Sequence, residues 1–172
     1  IDMCVELQKQ GKIKNFGFSF HDSYEVFEKI LNYRDWDFCQ IQFNYMDTEE
    51  QAGLKGLKLC EEKGIPNIIM EPLKGGSLAA FPQEVEQIFK SEEPNSSIAS
   101  WGLRYVGSFE NVLVLLSGMS NVDQMQDNLN TFKGTFDGNG HVIKNLKIDR
   151  GTSDYQGLFG RSVDGELKNI GV

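Results

Sequence analysis

One pattern constrains this chain more than any other: a short apolar strand, a turn, then an amphipathic helix, written repeatedly from residue 13 to residue 129. IKNFGFSF (13–20) is rich in aromatic and β-branched residues and leads into HDSYEVFEKILNY, where Val26, Phe27, Ile30 and Leu31 form one stripe at helical period. Asp22, with Glu25 three residues on, has capping-box spacing. DFCQIQFNYM (37–46) leads into TEEQAGLKGLKLCEEKG, where Thr48 and Gln51 repeat that spacing and Gly64 is placed to stop the helix in a left-handed conformation. Gly53 and Gly56 weaken this helix by about 1 kcal/mol each relative to alanine, so it requires tertiary support.

IPNIIM (65–70) is a third strand, followed by EPLKGGSLAAFP, helical signals from Pro82 to Phe89, and a further helix over SSIASWGLRYV. VLVLLSG (112–118) reads as a nearly continuous apolar strand. It enters SNVDQMQDNL, with Ser120 and Asp123 at cap-like spacing and Met125 and Leu129 on one face. Apolar strands alternating with helices predict an α/β fold, a parallel sheet covered by right-handed crossover helices. Periodicity alone fits part of a barrel and an open doubly wound sheet equally.

After Thr131 the pattern changes. GTFDGNGHVIKNLKID carries DG and NG turn signals before a strand-like run, and IKNLKI (143–148) is echoed by LKNIGV (167–172). The reading is two units, 1–131 and 132–172, the second a short all-β repeat tail of the solenoid kind.

Composition narrows the partners. A formal net charge of -8 disfavours nucleic acid and anionic membrane surfaces, and no apolar run reaches membrane-spanning length. The chain begins at Ile1, so targeting information is expected to lie elsewhere. Cys4, Cys39 and Cys60 have neither metal-ligand nor thioredoxin-like spacing, which makes buried, reduced thiols the expectation for Cys39 and Cys60. His21 and His141 are read as rim and turn residues.

KQGKIKNFGFSFHD, DFCQIQFNYM, GIPNIIMEPLKGGSL and VLVLLSGMSNVDQMQDNL, in that order, resemble the second half of an aldo/keto reductase, over residues 1 to about 133. The resemblance implies strands 5–8 of a (β/α)8 TIM barrel, cut from a bacterial, cytoplasmic NAD- or NADP-dependent oxidoreductase. It implies no catalytic residue in this chain. The family's proton-donating tyrosine and its lysine, aspartate and histidine partners lie on the other half of the barrel, and Tyr24, Tyr33, Tyr45 and His21 do not match them.

What the resemblance does imply is cofactor binding at the C-terminal ends of the strands. Ser19 and Gln40 match residues that hold the nicotinamide amide, although Phe20 replaces the usual asparagine. Met70 stands where many members stack an aromatic ring on nicotinamide. Pro72, Leu73, Lys74 and Gly75 match a loop over the pyrophosphate. Gly118, Met119, Ser120 and Asn121 enter a helix whose N–H groups suit phosphate. Gln124, Asp127 and Asn128 match residues at the adenosine end. Gly118 and Gln124 replace cations common in NADPH-using members, so NAD is at least as well suited as NADP.

The tail resembles the glycine-rich GLUG repeats of bacterial surface proteins. That resemblance implies a fusion with a seam near 130–134, and, as an alternative, a non-enzymatic structural or binding module located at the surface or secreted. A half-barrel has two open sheet edges, from which self-association is expected.

Overall fold

The computed structural model describes residues 1–131, 135–137 and 166–168. The predicted strand–helix alternation is present as an α/β unit. Helix α1 (Asp2–Lys9) precedes β1 (Phe18–Ser19), α2 (Tyr24–Leu31), β2 (Cys39–Gln42), α3 (Gly53–Glu62), β3 (Asn67–Met70), α4 (Gln83–Glu92), α5 (Ile98–Gly107), β4 (Val112–Leu115) and α6 (Val122–Thr131). Strands β1 to β4 form one sheet in sequence order, every neighbouring pair parallel. The register pairs Ser19 with Gln40 and Gln42 with Met70. β5 (Thr135–Asp137) and β6 (Glu166–Lys168) form a separate parallel pair. The echoed segment 143–148 and His141 lie outside the described residues.

The core lies between the sheet and the helices that cross it. Cys39, Ile41 and Phe43 alternate onto the helix side and are fully buried, as are Phe27 and Leu31 of α2 and Leu57 and Cys60 of α3. Phe18 and Phe20 pack on Phe27 with ring centroids 5.9 and 5.0 Å apart. Gly56 is needed at its place in α3: a Cβ there would lie 2.7 Å from the Ala52 Cβ and 3.0 Å from the Phe27 ring.

Several local expectations are corrected. The strands are shorter than their apolar runs, although flanking residues such as Phe20 and Phe43 still donate to the neighbouring strand, to the Gln40 and Met70 carbonyls. Ser23, not Asp22, is the N-cap of α2, while the Asp22 carboxylate accepts the Ser23 N–H at 2.7 Å. The Thr48–Gln51 box does not form. α3 begins only at Gly53, where the backbone turns with φ +55°, and the Thr48 carbonyl accepts the Leu54 N–H at 2.7 Å. Gly64 does take the left-handed conformation, φ +66°. β4, from the apolar run VLVLLSG, lies at the edge of the described sheet: Val112 and Leu115 pack against the core, and Leu113 is 69% exposed. Asn121, rather than Ser120, supplies the cap of α6, its Oδ1 accepting the Gln124 N–H at 2.9 Å.

Candidate functional site

Parallel strands place their C-terminal ends along one rim of the sheet. On the face away from the helices, Ser19 and Gln40 are direct neighbours across β1 and β2. Ser19 is exposed and Gln40 half-buried. The Gln40 carboxamide donates from Nε2 to the Met70 sulfur at 2.9 Å, so three of the expected residues touch or adjoin one another across three strands.

The turn after β3 is tied down harder than its sequence suggested. Pro72 is buried, and Leu73 rests against α5 at Gly102, where a Cβ would come within 2.9 Å of Leu73. Lys74 makes an ion pair with Asp47, on the loop after β2. Asp47 is 8% exposed, and its other oxygen accepts from Gln42 Nε2 at 2.9 Å and Asn44 Nδ2 at 3.0 Å. The Lys74 ammonium first, then the Asn44 amide, hold the Asp47 carboxyl below the usual carboxylate range, against the opposing effect of burial; Gln42 adds to the lowering. Asn44 completes the clasp by accepting the Met46 and Asp47 N–H groups and donating to the Glu71 carbonyl at 3.3 Å. Glu71 and Lys74 hold φ at +54° and +47°, a conformation costly for residues with a Cβ, which the clasp stabilises.

Sequence reasoning placed Lys74 here but missed Gln42, Asn44 and Asp47. The available signals were an inward-facing glutamine in a strand and an Asn-x-x-Asp turn directly after it. The clasp also changes the expectation for Lys74, whose charge is directed at Asp47.

The remaining expected residues approach from the opposite edge of the sheet. Gly118, Met119, Ser120, Asn121 and Gln124 are exposed around the start of α6. Gln124 Oε1 accepts the Ser120 N–H at 2.8 Å and its hydroxyl at 3.1 Å, so Asn121 and Gln124 together form a cap. Asn128 Nδ2 donates to Ser117 Oγ at 2.8 Å, anchoring α6 to the loop after β4, and Asp127 is exposed. Gly75 has φ +63° and open space around it. His21 is exposed on the rim. Among the described residues, no cluster of three or more His, Cys, Asp or Glu side chains is placed to hold a metal, and no helix is long and apolar enough to cross a membrane.

The aldo/keto reductase family model matches residues 1–140. Among solved structures, the chain is similar to the aldo-keto reductase AKR11C1 from Bacillus halodurans. The holo form aligns with a TM-score of 0.56 at 19% identity and the apo form with 0.57 at 20%, covering 72% of this chain and 46% of that one. The thermostable aldo-keto reductase Tm1743, solved with the inhibitor epalrestat, gives 0.57 at 17% identity over 86% of this chain and 48% of that one. Halomucin from Haloquadratum walsbyi is 42% identical over 55 residues, 31% of this chain and 1% of that protein. The chain thus spans under half the length of these relatives.

These findings correct the sequence reading of the join. The family match takes in most of the chain and runs to residue 140, through the expected seam at 130–134 and into the segment assigned to repeats, rather than stopping as a C-terminal half near 133. The match and the solved structures support a single family resemblance, and the GLUG assignment of the tail is withdrawn.

Proposed function

Since this chain belongs to the aldo/keto reductase family, we propose that the rim of its four-strand sheet binds a nicotinamide dinucleotide. The observation that carries the reading is the adjacency of Ser19, Gln40 and Met70 on neighbouring strand ends. A primary amide needs both a donor and an acceptor within one small patch, and a serine hydroxyl beside a glutamine carboxamide supplies both. Met70 offers a polarisable surface for a flat ring. Pro72, Leu73, Lys74 and Gly75 would pass over the pyrophosphate. Gly118, Met119, Ser120 and Asn121 would receive phosphate at the start of α6, and Gln124, Asp127 and Asn128 would meet the adenosine end. When bound, the dinucleotide supplies a hydride; the residues assigned here bind and orient it.

The reading extends to binding and not to turnover, because Tyr24, Tyr33, Tyr45 and His21 do not match the family's proton-donating tyrosine and its histidine partner. Without cations at Gly118 and Gln124, NADPH gains nothing over NADH from a 2′-phosphate. Titration of the purified chain with NADH, followed by dihydronicotinamide fluorescence, tests this. Gln40→Ala should weaken binding by about tenfold, the value of one good amide hydrogen bond. A wild-type chain that leaves NADH fluorescence unchanged would remove the reading.

Among the described residues no strand pairs with the outer edges of β1 and β4, which supports self-association as a second element of the proposal, with the exposed Leu113 and Val114 at the contact.

A further inference from the structure

Strand β2 and helix α3 bring two thiols together inside the core. Cys39 opens β2 and Cys60 lies in the last turn of α3; both are 0% exposed, and their sulfurs are 3.4 Å apart. Asn67, the buried register partner of Cys39 on β3, sets its Oδ1 3.2 Å from the Cys39 sulfur. Its amide is fixed in turn by donating to the Ile65 carbonyl at 3.2 Å. A thiol packed only as a small hydrophobe needs no such partner. Here a buried polar side chain, itself oriented by backbone, holds one thiol against the other.

We propose that Cys39 and Cys60 form a modification site, a dithiol that peroxide converts into an internal disulfide joining β2 to α3. The hydrogen-bonded contact between the two sulfurs holds the Cys60 thiol below its ordinary value, with burial opposing, and the same contact with burial pushes Cys39 up. Cys60 is accordingly the first nucleophile. As thiolate it attacks one oxygen of hydrogen peroxide, the O–O bond breaks, and Cys60 becomes a sulfenic acid while the departing hydroxide takes up the proton that Cys60 released. Cys39 then attacks the Cys60 sulfur. The S–S bond forms, the S–O bond breaks, and the hydroxyl leaves as water with the Cys39 proton. Two thiols lose two electrons, and one peroxide becomes two waters.

Access comes from α3 itself. The last turn of α3 carries Cys60, so peroxide reaches the pair when this turn opens locally from the sheet. Oxidation is therefore slow but selective, since the sulfurs need only close from 3.4 Å to a bonded separation of about 2.05 Å.

The test uses the full chain carrying Cys4→Ser, which leaves only the core pair. After hydrogen peroxide under native conditions and an iodoacetamide quench, peptide mass mapping should find the Cys39 and Cys60 peptides linked and lighter by two hydrogens. Dithiothreitol should reverse the link, and the oxidised chain should melt several degrees higher. In Cys39→Ser, which keeps a hydroxyl donor beside Cys60 but has no resolving thiol, dimedone should trap a sulfenic acid at Cys60. Thiols that stay unoxidised, cysteines that proceed to sulfinic acid without linking, a link that forms only in denaturant, or no dimedone adduct would each overturn the proposal.

Discussion

β2 and β4 are both short, apolar and parallel within the same sheet, yet they end in opposite environments. Cys39, Ile41 and Gln42 of β2 are buried, whereas Leu113 and Val114 of β4 are 69% and 40% exposed. The difference is position. β2 is paired on both sides and roofed by α2 and α3, while β4 has β3 on one side and, among the described residues, no strand on the other. An apolar strand announces that something should cover it; the number of neighbours decides whether anything does.

The sharpest way to break this contrast is to remove a large side chain from each region. Phe27 is fully buried beneath Phe18 and Phe20, and Phe27→Ala should cost about 3–5 kcal/mol by urea unfolding. Leu113→Ala should cost well under about 1 kcal/mol in the monomer. Comparable losses at the two sites would mean that the edge is covered in solution.

The rims repeat the comparison in polar groups. After β2 and β3 the clasp uses both carboxylate oxygens of Asp47, while around α6 the cap bonds within its own turn. Asp47→Asn should cost about 1–3 kcal/mol by removing a charge that three donors surround. The pH dependence sharpens the point. The folded carboxyl titrates below its unfolded value of about 3.9. Its contribution is therefore fully present above that value and lost as pH falls through the folded pKa. The gap between wild type and Asp47→Asn in a pH series of melting curves should close on the acid side; a gap that instead widens there would contradict the clasp.

How much of this was legible in the sequence follows the same division. Element types were readable because helix stripes such as Val26–Phe27–Ile30–Leu31 and runs such as IPNIIM record burial from one face or two. Cap positions were not: Thr48 and Gln51 satisfy the spacing, but the loop carrying Asp47 must reach Lys74 first, which delays α3 to Gly53. The Ser19–Gln40 adjacency came from family resemblance, and Asp47 was missed because its local Asn-x-x-Asp turn does not reveal the partner that matters, Lys74 on the loop after β3. The tail misled because turn signals and a short echo describe composition, and composition does not fix a family.

Glycine substitutions divide the two regions more finely. In α3, Gly56→Ala gains about 1 kcal/mol in helix propensity. It also meets Ala52 and the Phe27 ring at 2.7 and 3.0 Å, with an overpacking cost of about 1–3 kcal/mol, so net destabilisation of about 1 kcal/mol is expected. Gly118→Ala, next to the edge strand and with no atom within 4 Å, should lie within about 0.5 kcal/mol of wild type. Chemical denaturation of the pair checks both signs.

The smallest effect on stability belongs to Leu113→Glu, and it bears most directly on the edge. In a monomer the side chain is already mostly in water, so charge there should shift unfolding by no more than about 0.5 kcal/mol. Against a second copy it would bury an unpaired carboxylate between two strands, which the contact cannot accommodate. Sedimentation velocity over a concentration series should thus show wild type associating and Leu113→Glu remaining monomeric at unchanged melting temperature. If both sediment as monomers, the open edge is solvated as it stands, and β4 differs from β2 only in having water for its missing neighbour.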